Sequence, residues 1–421
     1  MKKIAKLSLV AAVAVVGLTT ANAQPLEEAI KNVDVSGSVV YRYNDIQDDA
    51  AGEPSYGSTT NKNKDASGNN YKVGLNVSSK VNEDVKFNSR FLVANGAEGG
   101  FAGQLDSSTA GDTNVDVELS HANFAYTGVK NTTVTVGKQG LVTPYTTGVM
   151  IDENEQNGTG IMALSTVGPV TLGAGYFNQT NLGESGDLKS ILNDNVSTKG
   201  ATVVNGVTTV SAQANRIADT GSTGSLDIAA LAAIGVFGPV TVDAWYLDLQ
   251  DTFDTYTLGA KSDFDLAGVK LGADARWASL GFDGDNDKNT IAKLVLTAKA
   301  GIVNGKLAYA TTGKDGGITG LDSDATTVLK GWNLNTLNKA DADYWQAVAG
   351  VDILSNLNLS ANYGNLEYDT NTEEEEVYGQ LTYKMSKNLS TYVRYGTYTK
   401  DIGNTEIFDA TAGRLQVAYT F

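Results

Sequence analysis

The chain has 421 residues with no cysteine, one histidine and a formal net charge of −17. The missing cysteines exclude disulfides and thiolate metal sites. The acidic balance argues against nucleic acid as a partner, because that requires a basic face.

Residues 1–23 carry the three parts of a secretory leader. Lys2, Lys3 and Lys6 are its positive start, Leu7 to Leu18 its apolar stretch, and Ala21-Asn22-Ala23 its small-residue cleavage site before Gln24. Cleavage between Ala23 and Gln24 leaves 24–421 as the mature domain and takes the net charge from −17 to about −20. The apolar stretch is too short to span a bilayer, and no later segment offers the apolar run of a transmembrane helix. Pro25 to Lys31 is the one short helix expected in the mature chain.

From Val33 onward the pattern is alternation. The predicted strands are 33–44, 70–80, 85–95, 114–126, 132–138, 159–167, 170–178, 226–236, 240–249, 255–264, 269–279, 289–301, 306–312, 342–352, 357–367, 375–384, 389–398 and 411–421. The last of these puts Leu415, Val417, Tyr419 and Phe421 on one face and Arg414, Gln416, Ala418 and Thr420 on the other. Such a sheet sits between lipid and water, and Phe421 is read as a C-terminal assembly signal. In lipid every backbone polar group must be paired, so the strands must close into a barrel.

Eight turn signals punctuate the strands: 81–84, 127–131, 167–169, 237–239, 265–268, 302–305, 354–356 and 385–388. With both ends on the turn side, eight turns and nine longer loops give 18 antiparallel strands, an even number as a single-chain bacterial barrel has. If a hairpin at 201–210 in the fourth loop also spans, the count becomes 20. The longer loops hold the acidic sequence, and an 18-stranded barrel is too wide for side chains to fill, so an open aqueous lumen is expected.

Parity fixes the inward charges: Arg42, Lys72, Arg90, Arg394 and Arg414. A one-residue slip would drive each into lipid at roughly 2–4 kcal/mol near the midplane. Closure makes their strands neighbours, so the five form one basic wall. The third loop, 140–158, carries Asp152, Glu153 and Glu155. Folded inward, these acids would face the basic wall across a constriction that favours small polar solutes and ions. The acidic outer vestibule suggests mild cation selectivity. Asp152 and Glu155 are also weighed as calcium ligands, since calcium accepts carboxylates flexibly. Glu373 to Glu376 reads as a solvated loop tip that divalent ions could bridge to lipopolysaccharide. No nucleophile elbow accompanies the lone His121, so an enzyme is not expected.

Three stretches carry a family resemblance: Pro25-Leu26-Glu27-Glu28-Ala29-Ile30-Lys31 with Val33-Asp34-Val35-Ser36-Gly37, then Gly137-Lys138-Gln139, then the turn from Tyr383 to Leu389. The chain resembles the major outer-membrane porins of the campylobacter type. What the resemblance implies is a homotrimeric, water-filled diffusion channel with short periplasmic turns, long extracellular loops and an inward third loop. Its partners would be outer-membrane lipid, lipopolysaccharide and small hydrophilic solutes. Two alternatives are a barrel that chiefly anchors surface loops as an adhesin, and a substrate-specific channel.

Overall fold

The computed structural model describes residues 33–48, 66–94, 105–106, 111–112, 116–151, 154–185, 187, 201–204, 207–210, 224–284, 286–369 and 371–421. The leader, its cleavage site at Ala23 and Gln24, and the short helix expected at 25–31 lie outside the described residues.

One closed antiparallel sheet of 18 strands forms the molecule. In chain order these are β1 (Val33–Asp48), β2 (Ala66–Lys80), β3 (Val85–Ala94), β4 (Asp116–Tyr126), β5 (Thr132–Gly140) and β6 (Asn157–Val167). Then follow β7 (Val170–Thr180), β8 (Ile228–Phe237), β9 (Val240–Leu249), β10 (Phe253–Leu266), β11 (Val269–Phe282) and β12 (Lys288–Ala300). The last six are β13 (Val303–Thr312), β14 (Asp343–Leu354), β15 (Leu357–Tyr368), β16 (Thr372–Lys384), β17 (Leu389–Ile402) and β18 (Thr405–Thr420). Each expected strand is present. The hairpin of 201–204 with 207–210 pairs only with itself, so it adds no strands to the wall.

Closure is made by β1 against β18, from Ser38↔Thr420 to Asp48↔Ala410. At its foot the Gly37 N–H donates to the Phe421 carbonyl at 2.9 Å, and the Phe421 N–H returns to the Gly37 carbonyl at 3.1 Å. The last residue thus completes the ladder, which leaves no open edge for lipid. Lipid-side positions carry the apolar residues parity assigned: Val35, Val39 and Tyr41 on β1, Val393 and Tyr395 on β17, Leu415 and Tyr419 on β18 are all exposed. Aromatic rings band both ends of this outer wall. Phe87 with Phe124 and Tyr419 with Phe421 lie by the turns, and Tyr256 with Trp277 and Tyr309 with Trp345 by the loops.

Two expectations about the loops fail. Three of the nine connections expected to be longer loops are tight: Gln250 to Thr252 joins β9 to β10, β15 ends at Tyr368 with β16 starting at Thr372, and Gly403-Asn404 joins β17 to β18. Glu373 to Glu376 therefore lie in β16 and not at a loop tip; Glu374 and Glu376 point inward and are buried. Nor is the barrel filled by loop three alone. Residues 313–342, the seventh loop, also fold inside, with Ile318, Leu321, Ala325, Val328 and Leu337 buried against Leu247, Leu249, Phe253 and Leu280 of the wall. A second apolar group joins Leu329, Leu334 and Ala342 of the same loop to Ile291, Ala308, Ala310, Tyr344 and Leu366. The hydrophobic core of this barrel lies in its lumen, in the half nearer the loops.

The Phe421 ring packs over Gly37: a Cβ there would fall 2.3 Å from the Gly74 carbonyl and 2.8 Å from the ring. Gly37→Val is therefore expected to lower the yield of folded barrel. The compact, faster-migrating band on unheated SDS gels reads that yield, and an unchanged fraction would show that closure does not depend on this packing.

Candidate functional site

The inward face of β17, β18, β1, β2 and β3 carries Arg394, Arg414, Arg42, Lys72 and Arg90 on consecutive strands. Arg394 pairs laterally with Arg414, which pairs with Asn44; Arg42 lies beside Gln416, and Lys72 opposite Val40. The sequence-derived basic wall is thus contiguous. Three of its members donate to neutral amides: Arg42 Nε to Gln416 Oε1 at 2.8 Å, Arg414 Nε to Asn44 Oδ1 at 2.7 Å, and Arg394 to Gln380 Oε1 at 2.7 and 2.9 Å.

Arg90 differs. Its Nε and Nη2 hold the Glu155 carboxylate of loop three at 2.7–3.0 Å, and Nη1 reaches Asn76 at 2.8 Å. Ser120 Oγ donates to Glu155 Oε2 at 2.7 Å, and the Asn181 amide caps the Glu155 carbonyl. Burial pushes the Glu155 carboxyl up, but the bonds and charge of Arg90 outweigh it and hold the group below the usual carboxylate range. Glu155 is 0% exposed, so it does not face the basic wall across water; it pins loop three onto that wall.

A bulge in β4 makes this contact. The ladder with β3 skips from Arg90↔His121 to Phe91↔Leu119, leaving Ser120 as the extra residue. Leu119 and Phe124 face lipid, whereas Ser120 meets Glu155 and His121 lies against Gly140 at the start of loop three. Two consecutive side chains therefore turn to the lumen, which explains why alternation in this strand is hard to read from sequence. Among the described residues His121 Nε2 is buried there without a hydrogen-bond partner.

Loop seven docks at several points. The Leu321 N–H donates to the Tyr145 carbonyl at 2.7 Å and the Thr327 N–H to the Pro144 carbonyl at 3.1 Å, so the two inward loops are joined by backbone bonds. Gln156, fully buried, donates to the Leu321 carbonyl at 2.7 Å. On the wall, Glu376 accepts the N–H groups of Trp332 and Asn333 at 2.9 and 2.7 Å. A Cβ on Gly331 would sit 2.0 Å from the carboxylate, so a larger residue there would displace Glu376. Lys339 and Lys400 both pair with Glu374, which also accepts from the Tyr368 hydroxyl at 2.6 Å. The apolar packing lies against β7 to β15; on the basic side Arg42, Lys72 and Arg90 are buried, while Arg394 and Arg414 are half-buried.

The sequence model of the Campylobacter major outer membrane protein family matches residues 1–421. The chain belongs to that family. No curated protein matches it. Among solved structures, OpdL of Pseudomonas aeruginosa is 17% identical at TM-score 0.65, covering 93% of this chain and 99% of its own. OccAB3 of Acinetobacter baumannii is 15% identical at TM-score 0.66, covering 92% and 99%. OpdK of Pseudomonas aeruginosa, solved with vanillate, is 15% identical at TM-score 0.64, covering 92% and 98%. At these identities the likeness is one of fold. Membership places the barrel in the outer membrane as a channel, with its turns periplasmic and its loops extracellular.

Of the family member's expected acidic constriction, Asp152 and Glu153 lie outside the described residues. Glu155 spends both carboxylate oxygens on Arg90 and Ser120, which does not suit the calcium role weighed for it. Among the described residues no three acidic or histidine side chains gather as a metal site. The role of loop seven was missed. The available signal was loss of alternation at the loop ends of β8 to β15, where inward positions such as Leu247, Leu249, Ala278, Leu280 and Phe282 are apolar like outward ones.

Two outcomes are expected. Glu155→Ala strands a buried guanidinium at a cost of about 3–5 kcal/mol, and removing Arg90 as well restores part of it. The temperature at which the compact SDS band is lost should fall in the single variant and partly recover in the double. Asp322 of loop seven is 1% exposed, and burial with the nearby Asp187 and Asp324 carboxylates pushes it up to about 6. An acid raised in the docked loop binds its proton more tightly there. Docking therefore weakens as pH rises from the ordinary value of about 3.8 through about 6, then levels off. Amide exchange of residues 321–329 should be slower at pH 5 than at pH 7.5 after correction for intrinsic rates, and Asp322→Asn should remove the difference.

Proposed function

We propose that this outer-membrane channel passes small hydrophilic solutes and ions by general passive diffusion, without catalysis, through a slot bounded by loop three, loop seven and the basic wall. The observation that carries this reading is the inward surface of β16 to β18, which stays half-buried beside the two apolar clusters. Apolar packing closes the side of β7 to β15, while Arg394, Trp332, Tyr378 and Tyr392 on the other side are half-buried and so reach lumenal water. Polar, fixed side chains along such a path favour hydrated solutes over greasy ones. The acidic third-loop residues Asp152 and Glu153, with the acidic outer loops, are read as setting mild cation selectivity against the basic wall. Homotrimer assembly and contact with lipopolysaccharide belong to the same reading and rest on the family resemblance, and leader removal rests on the three-part pattern of residues 1–23.

A substrate-specific channel is the second reading, and the tight docking of loop seven favours it, because two loops narrow the bore more than one. Planar-bilayer recording under a salt gradient separates the cases. The wild-type barrel is expected to give stepwise currents, and Asp152→Asn with Glu153→Gln should move the reversal potential toward anions. Glu376→Ala, which frees the Trp332 and Asn333 amides, should raise single-channel conductance. A folded barrel that carries no current would remove the channel reading and favour an anchor for surface loops. Current unchanged in Glu376→Ala would remove loop seven from the constriction.

A further inference from the structure

Arg394 has surroundings unlike those of Arg90. Its hydrogen-bond acceptor is the neutral Gln380 Oε1, which takes both Nε and Nη2. Its other neighbours are ring faces: the guanidinium carbon lies 4.6 Å from the centre of Tyr378, 5.0 Å from Trp332 and 5.2 Å from Tyr392. Trp332 and Tyr378 meet edge to face at 5.2 Å, and Arg414 also lies over Trp332, at 5.6 Å. The nearest acid along β16, Glu376, directs its carboxylate to the backbone of loop seven.

This arrangement fixes a cation without neutralising it. Gln380 and three rings hold the guanidinium plane in place, and the quadrupoles of the rings stabilise its charge only in part. The Nη1 edge has no acceptor among the described residues, while the residue is half-buried beside the water path. A planar guanidinium edge matches a carboxylate in shape and charge. Aromatic faces beside it offer a flat solute a surface to stack on.

We propose that Arg394, Trp332, Tyr378 and Tyr392 form a binding station for small aromatic carboxylates within the channel. The carboxylate engages the Nη1 edge of Arg394, and the solute ring lies against the aromatic faces. The station deepens the channel reading and rests on it. Trp332 comes from loop seven, whose docking through Glu376 completes the station. Loop seven therefore positions a recognition surface as well as narrowing the bore.

The test is single-channel recording from the full folded chain with benzoate, acetate or benzyl alcohol added. Benzoate should lower the mean current in a saturable way at millimolar concentration. Acetate, which lacks the ring, and benzyl alcohol, which lacks the charge, should each do so at least severalfold less well. Arg394→Gln should weaken the benzoate effect about tenfold, as expected for loss of one charge-assisted contact. Arg394→Lys keeps the charge but not the planar fork, and should weaken it severalfold even if the Gln variant folds poorly. Equal block by all three solutes, or benzoate block unchanged in either Arg394 variant, would overturn the station while leaving the channel intact. Absence of current from the folded wild type would instead remove the channel itself, and the station with it.

Discussion

Everything in this structure depends on the requirement that a chain in lipid pair all its backbone N–H and C=O groups. The ring of strands meets it, and the ring is completed by a contact at the far ends of the sequence: Gly37 exchanges backbone hydrogen bonds with Phe421. A Cβ at position 37 would collide with the Gly74 backbone and the terminal ring, so closure is a matter of packing as well as pairing. With the ladder closed, strand parity decides which side chains meet lipid and which meet water. The outward valines, leucines and aromatics and the inward arginines follow from that single alternation.

Closure also creates a space that side chains cannot fill, and the molecule fills it with its own loops. Burial of apolar side chains from loop seven and loop three against the inner wall of β7 to β15 supplies a core in the half nearer the loops. The polar fastenings lie on the other elements. Glu155 holds loop three through Arg90, while Glu374 and Glu376 hold loop seven through lysines and backbone amides. Glu155, which looks like a channel charge in the sequence, and Glu374 and Glu376, which look like a loop tip, are therefore structural. Each is buried and matched, because an unmatched carboxylate in that position would be costly.

That use of the acids changes the electrostatic character of the basic wall. Arg90 pairs with Glu155; Arg42, Arg394 and Arg414 each donate to a neutral amide, and Arg394 and Arg414 also lie over aromatic rings. On the proposed reading the water path follows the side of the half-buried Arg394 and Arg414. Its outer approach is acidic in sequence, so on that reading an ion meets fields of opposite sign in succession.

The sequence by itself determined the strand number, the register and the inward set Arg42, Lys72, Arg90, Arg394 and Arg414. Alternation is a local, period-two signal, and a slip would put every one of these charges into lipid. Membership in the campylobacter-type family was legible too, in the short stretches around Val33 to Gly37 and Tyr383 to Leu389. Only the tertiary structure decided where the loops go. Residues 313–342 read as an exposed loop because their apolar residues have no regular period. Their partners are inward residues of β8 to β15, brought together solely by closure. It likewise decided that Glu155 touches Arg90, through a bulge at Ser120 that alternation cannot signal, and that Trp332 meets Arg394 across 62 positions of chain. Local periodicity fixes which face a residue occupies; which residues share a point in the lumen is set by a ring that exists only once its last strand meets its first.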